Sequence, residues 1–266
     1  MGKLGLIAIH GMGKTERTFA DQFFEDVRDR LSNSQRSRME TTTVYYQDIL
    51  QPHEEAYFSK SKRKLDWLEL RQFVLYGFCD AASLESRKEG TESPYYLAQK
   101  EILNAFRRLF QLNGADAPIV VVAQSLGGQV LSNYLWDALK DGTPKNGIWS
   151  VPPTLSTEEE KVCRGRTVER LFTTGCNIPV FVAGHPSDRI RPIPRPNENF
   201  RWENYYDKDD VLGWPLQTLS EDYKRLVKDR QINAGFFSGI TPFSHTRYWK
   251  DRDFLKPLVR HIKQLI

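Results

Sequence analysis

The sequence predicts an α/β protein: a mostly parallel central sheet covered by helices on both faces. Three observations carry that expectation. Short apolar runs alternate with longer amphipathic stretches along the 266 residues. The run Ile119-Val120-Val121-Val122-Ala123 is apolar and mostly β-branched, as in a strand buried on both sides. It stops abruptly at Ser125, and helical spacing begins at once, with Val130, Leu131, Tyr134 and Leu135 on one face.

The elements follow in order. Leu4 to Ile9 reads as the first strand, and the helix over 17–32 gathers Phe19, Phe23, Phe24, Val27 and Leu31 on one side. A strand is expected over 40–46. A helix over 63–87 carries Leu65, Trp67, Leu68, Leu70, Phe73, Val74 and Phe78. Another covers 95–112, then the strand 118–123 and the helix 126–139. Strands are expected over 168–173, 179–183 and 200–206, the last with Trp202, Asn204 and Tyr206 alternating against their neighbours. A helix over 249–265 closes the chain, with Leu258, Val259, Ile262 and Leu265 on its apolar side. The length suits a single domain over 1–266. Three segments fall outside this frame and are candidate caps: 52–93, 140–166 (with a capping signature from Ser156 to Glu159) and 214–244.

Composition narrows the partners. Net charge is +4, from 38 basic and 34 acidic residues, too slight a bias for a nucleic-acid binder. Three cysteines, Cys79, Cys163 and Cys176, lie far apart without a Cys-x-x-Cys pair, as suits a reducing compartment. The chain opens on a strand pattern, so no signal peptide is expected, and no apolar run in it reaches transmembrane length. A cytoplasmic protein is expected, with no transmembrane segment.

The chemistry concentrates at Ala123-Gln124-Ser125-Leu126-Gly127. A strand turning sharply into a helix through a serine flanked by small residues is a nucleophile elbow. The turn is tight, so Ala123 and Gly127 must clear the serine backbone, and the strain is expected to hold the Ser125 hydroxyl where substrate reaches it. The helix end beneath supplies the Leu126 N–H and a positive dipole end for an oxyanion. A serine hydroxyl is a weak nucleophile until a base takes its proton, and the base needs an orienting group. Of the five histidines, His10 and His53 precede the serine and His261 belongs to the last helix. His185 follows a strand-like run. Only His245 is both late and in a loop before a helix. The acid is expected after a strand between Ser125 and His245, where Asp207, Asp209 and Asp210 are the candidates.

These residues resemble the α/β-hydrolase superfamily, on its lipase and esterase side. The likeness rests on His10-Gly11 after the first strand, on the Ser125 elbow, on Asp210-Val211 with Pro215 beyond, and on His245, in the order Ser, Asp, His. Ala123 stands where many members have Gly. The resemblance implies the α/β-hydrolase fold and a hydrolase of carboxylic esters, lipid-like or small, working through an acyl-enzyme without a cofactor. It implies Ser125 as nucleophile, His245 as base, Asp210 as orienting acid, and backbone N–H groups of Leu126 and of Met12 or Gly11 as the oxyanion hole. Asp210 is expected to be fixed by Val211 and Leu212 packing under the sheet edge, with Asp207 as runner-up; beside Asp210 as the acid, both Asp207 and Asp209 are expected to be solvated charges.

A rival motif overlaps the first strand. Ala8 to Thr15 fits a permissive phosphate-binding loop, with Ala in place of the first Gly and Lys14-Thr15 at its end. No apolar strand ends in an aspartate suited to Mg²⁺. The same triad would equally serve a thioesterase or an amidase, and a hydrolase fold can also persist without activity as a binding module.

Overall fold

The computed structural model describes residues 2–85, 90–140, 146–151, 153–234 and 247–266. Six strands, β1 (Leu4–Ile9), β2 (Met39–Val44), β3 (Ile119–Gln124), β4 (Val168–Thr174), β5 (Arg201–Asp207) and β6 (Val227–Ile232), form one sheet in the order β2-β1-β3-β4-β5-β6. Every neighbouring pair is parallel. The helices are α1 (Asp21–Arg28), α2 (Asn33–Arg36), α3 (Gln51–Ser61), α4 (Leu68–Glu85), α5 (Pro94–Asn113), α6 (Leu126–Leu139), α7 (Thr157–Cys163), α8 (Ile178–Val182), α9 (Glu221–Leu226) and α10 (Arg252–Leu265). This is the α/β-hydrolase arrangement that the sequence predicts.

Strand periodicity builds a core on each face. In β1, Leu4, Leu6 and Ala8 join one cluster with α1 and α10, while Ile7 and Ile9 join the other with α5 and α6. In β3, Val120 and Val122 face the first cluster, and Ile119, Val121 and Ala123 the second. Both faces of these strands are dry, so the sequence shows apolar runs without alternation. Each buried Val or Ile contributes about 1.5–3 kcal/mol.

The order also positions the site. The chain steps from β1 outward to β2, then returns past β1 to β3, so the direction of winding reverses between β1 and β3. A crevice opens outside the carboxyl ends of strands at such a switch point. Ile9 and Ala123 are register partners there, which sets His10 and Ser125 on the two lips.

Two expectations are corrected. Residues 179–183 are not a strand. Ile178–Val182 is the short helix α8, started by Pro179, whose fixed φ suits a first helical turn. Val180 is exposed, while Phe181 and Val182 pack half-buried against the core from the helix. The segment 214–244 contains α9 and the sixth strand, so this much of it completes the sheet. Val227-Lys228-Asp229-Arg230-Gln231-Ile232 hid its strand because an edge strand carries charges on its open side. Elsewhere Ser156 caps α7 by accepting from the Glu159 N–H, as its signature predicts.

Candidate active site

Ser125 stands at the junction of β3 and α6 with φ 52° and ψ −124°. Trp67 is the other non-glycine residue at positive φ among the described residues. Such a backbone costs of order 1–3 kcal/mol and persists only where its surroundings hold it. Here the Ser125 N–H donates to Thr174 O on β4, and the Gly128 N–H donates to Ser125 O. The hydroxyl Oγ is buried and has no hydrogen-bond partner among the described residues. Buried polar atoms are almost always paired, so an orphan hydroxyl on a strained residue is a feature that asks for an explanation.

The elbow is packed against the end of β1. A Cβ on Gly127 would meet His10 O at 2.3 Å, and one on Gly11 would meet Ser125 Cβ at 2.8 Å. Backbone from two elements meets here with no room for side chains, as the small residues in the sequence imply. The same closeness corrects one expectation: Ser125 is 0 % exposed, because the His10–Gly11 loop lies directly over it.

His10 is structural. Its Nε2 accepts from the Tyr46 N–H at 3.2 Å, which leaves Nδ1 to donate to Gly11 O at 2.7 Å. Burial depresses its pKa to about 4, only partly opposed by the bond to Gly11, so it stays neutral. The Tyr46 hydroxyl donates to His10 O at 2.8 Å and reaches Gly11 O at 3.3 Å, clamping the loop from behind. Across the planar peptide the Met12 N–H points opposite to the Gly11 carbonyl, away from Tyr46. The Leu126 N–H opens α6, where no carbonyl of the helix is placed to accept it.

The loop is held on its far side by α4. The Gly13 N–H donates to Asp80 Oδ2 at 2.9 Å. Asp80 is buried beside Glu54 of α3, and Gln47 Nε2 donates to it. Burial, reinforced for Glu54 by the charge of Asp80, raises both carboxyl pKa values. Thr15 does not open a helix, since α1 begins at Asp21, and the Gly13 amide is already taken by a carboxylate. A cavity of about 300 Å³ opens beside the loop, lined by His10, Gly11, Met12, Phe19, Gln124 and Trp249 among others.

Asp210 sits in the loop after β5, on the same edge of the sheet. It is buried, its Oδ1 accepts from the Leu212 N–H at 3.0 Å, and its Oδ2 accepts from the Tyr248 hydroxyl at 2.9 Å. Val211 does not anchor it: that side chain is 62 % exposed. The anchor is Tyr248, whose hydroxyl also accepts from the Asp207 N–H at 2.9 Å. Burial, with the charge of Asp210 beside it, keeps this phenol protonated at any accessible pH. Asp207 is corrected as well. It is buried, accepting from the N–H groups of Asp209 and Ala234, and acts as a bracket between β5 and the chain after β6. The Asp210 loop abuts the turn after β4, where the Trp214 N–H donates to Cys176 O, and the last residue of β4, Thr174, receives the Ser125 N–H.

The structure thus brings Ser125, Leu126 and Gly11 together, sets Met12 next in the loop, and places Asp210 two strands away on the same edge. His245 lies outside the described residues. His185 is exposed after α8, and His261 on α10 faces Glu203 at 3.5 Å. Sequence reasoning missed Tyr46, Asp80 and Tyr248. A lone acid in the apolar stretch Phe78-Cys79-Asp80-Ala81 was the available signal for the second.

No family model and no curated sequence matches the chain. Among solved structures it is similar to a protein of unknown function from Agrobacterium tumefaciens, at 10% identity over 100% of this chain and 92% of that one, with a TM-score of 0.47. An uncharacterized protein from Bacillus cereus matches at 9% identity over 99% of this chain and 59% of that one, with a TM-score of 0.47. A presumptive hydrolase of the alpha/beta superfamily from Xanthomonas campestris pv. campestris matches at 12% identity over 98% and 96% of the two chains, with a TM-score of 0.42.

Proposed function

We propose that the protein is a serine hydrolase of carboxylic esters, lipid-like or small, working without a cofactor. The observation that carries this reading is Ser125: a strained, buried serine at a strand-to-helix turn, with an unpaired hydroxyl beside a helix N-terminus. In the proposed reaction Ser125 Oγ attacks the acyl carbonyl while His245 takes its proton. The tetrahedral oxyanion is held by the N–H groups of Leu126 and of Met12 or Gly11. Collapse expels the alcohol, which leaves with the proton from His245, and water then hydrolyses the acyl-enzyme by the same route. Asp210, fixed by Tyr248 and Leu212, orients the imidazole and offsets its charge. A hydroxyl that is fully covered requires neighbouring groups to move before an acyl chain enters, and the α3–α4 hairpin, which holds the loop through Asp80, is the natural wall of such an entrance. A thioester or amide would be served by the same groups. Nucleotide binding has no support from the geometry of the 8–15 loop.

The test is labelling with a fluorophosphonate, which reports an activated serine without knowledge of the substrate. Wild type is expected to label, and Ser125→Ala to lose the label while keeping its thermal midpoint. Equal labelling of that variant would remove the assignment.

A further inference from the structure

The α3–α4 hairpin carries a surface that the proposed reaction does not use. Helix α4 is apolar on two sides. Its inner side, Tyr76, Gly77, Asp80 and Leu84, is buried against the body. Its outer side presents Leu70, Val74 and Phe78 at intervals of four residues, with Trp67 immediately before its first turn, and all four are exposed, Trp67 by 76% and Phe78 by 73%. Tyr57 of α3 stands beside them, 62% exposed. Between the helices lies a groove of about 570 Å³ whose walls include Phe58, Leu65, Trp67, Leu70 and Val74. A contiguous apolar surface of this kind on a folded protein marks a contact site.

Its charge says what the contact is. The end of α3 and the turn after it read Lys60-Ser61-Lys62-Arg63-Lys64, and the four basic residues are all exposed, close in sequence to Trp67. Among the described residues none of the four has an ion-pair partner. From Lys60 to Arg71 there are five basic residues against two acidic ones. A second copy of the chain related by a two-fold axis would press two such basic runs together. An anionic bilayer matches both halves: acidic headgroups for the lysines, and the interfacial zone for Trp67, Phe78 and Tyr57. No helix among the described residues is long and apolar enough to cross a membrane, so the hairpin would lie on the surface.

We infer that the tip and outer face of the α3–α4 hairpin, Trp67, Leu70, Val74 and Phe78 with the basic turn 60–64, form a docking surface for an anionic lipid bilayer. This stands independently of the reactivity of Ser125. It also places the bilayer on the helix whose inner side bonds to the Gly13 N–H, next to the covered serine.

The experiment is co-sedimentation with phosphatidylcholine vesicles, with and without phosphatidylglycerol. Wild type is expected to bind the anionic vesicles, more weakly at higher salt. Trp67→Ser/Phe78→Ser and Lys62→Glu/Arg63→Glu/Lys64→Glu should each weaken binding at least about tenfold, with unchanged thermal midpoints because these side chains are exposed. Ser125→Ala should bind as wild type does, so that failure of the hydrolase reading leaves this one standing. Wild type remaining in the supernatant with anionic vesicles at low salt would overturn the inference. So would variants that bind as tightly as wild type, or a solution dimer that dissociates in the Trp67/Phe78 variant while vesicles are ignored.

Discussion

Tyr248→Phe removes one oxygen, and the structure gives that oxygen two tasks. It donates to Asp210 Oδ2 and accepts from the Asp207 N–H, both at 2.9 Å, on a side chain that is 0 % exposed. A hydrogen bond to a buried carboxylate contributes about 1.5–3 kcal/mol, and an orphaned buried amide costs about 1–3 kcal/mol. Partial relaxation brings the expected loss to about 3 kcal/mol. For a chain of this size that is a fall in thermal midpoint of roughly 6–12 °C. Urea denaturation should show a lower midpoint with an unchanged slope, since no additional surface is exposed on unfolding. A double-mutant cycle with Asp210→Asn separates the two arms: the Asp210 arm appears as coupling of about 1.5 kcal/mol or more, and the Asp207 arm remains in the single variant. A stability loss below about 1 kcal/mol, or no coupling to Asp210, would refute the argument that Tyr248 anchors the acid.

Three further outcomes are expected. Gly127→Ala drives a Cβ to 2.3 Å from His10 O, a backbone atom that cannot turn aside; it should cost about 2–3 kcal/mol in urea denaturation and reduce fluorophosphonate labelling, and a wild-type midpoint would contradict the packing described. Asp210→Asn should lower kcat by several orders of magnitude, near the roughly 10⁴-fold loss known for the same role in a serine protease, whereas Asp207→Asn should act through about 1–3 kcal/mol of stability; steady-state kinetics with thermal midpoints distinguishes the two. Burial raises the carboxyl pKa values of Glu54 and Asp80, for Glu54 with the charge of Asp80 added, so folding favours their protonated forms; the stability this provides is fully present below about 4, the ordinary carboxylate range, and is lost as pH rises from there to about 8. Glu54→Gln should flatten the decline of thermal midpoint over that window, and an unchanged slope would show that the pair is not its source.

The sheet interior and the elbow are legible in the amino-acid sequence alone. The Ile119–Ala123 strand, the helix from Leu126 and the strained serine between them follow from local pattern, because burial on both faces and a tight turn each leave a residue signature. The Leu4–Ile9 strand with His10-Gly11 behind it was legible for the same reason. Position 210 was legible as one acid of three, but not for the reason the pattern suggested, since Val211 is exposed. What anchors Asp210 is Tyr248, 38 residues further on. What clamps the His10–Gly11 loop is Tyr46, 36 residues away, and what holds Gly13 is Asp80, 67 residues away. No local periodicity records such pairs. Each side chain is ordinary within its own segment and acquires its role only when parallel crossovers bring distant loops to one edge of the sheet. The edge strand Val227–Ile232 was hidden for the complementary reason: its pairing partner supplies the order, so its own residues need not be apolar. Local pattern therefore specified where Ser125 stands. Tertiary contacts, which depend on hydrogen bonds between residues far apart in sequence, decided how tightly it is covered and which groups fix its neighbours.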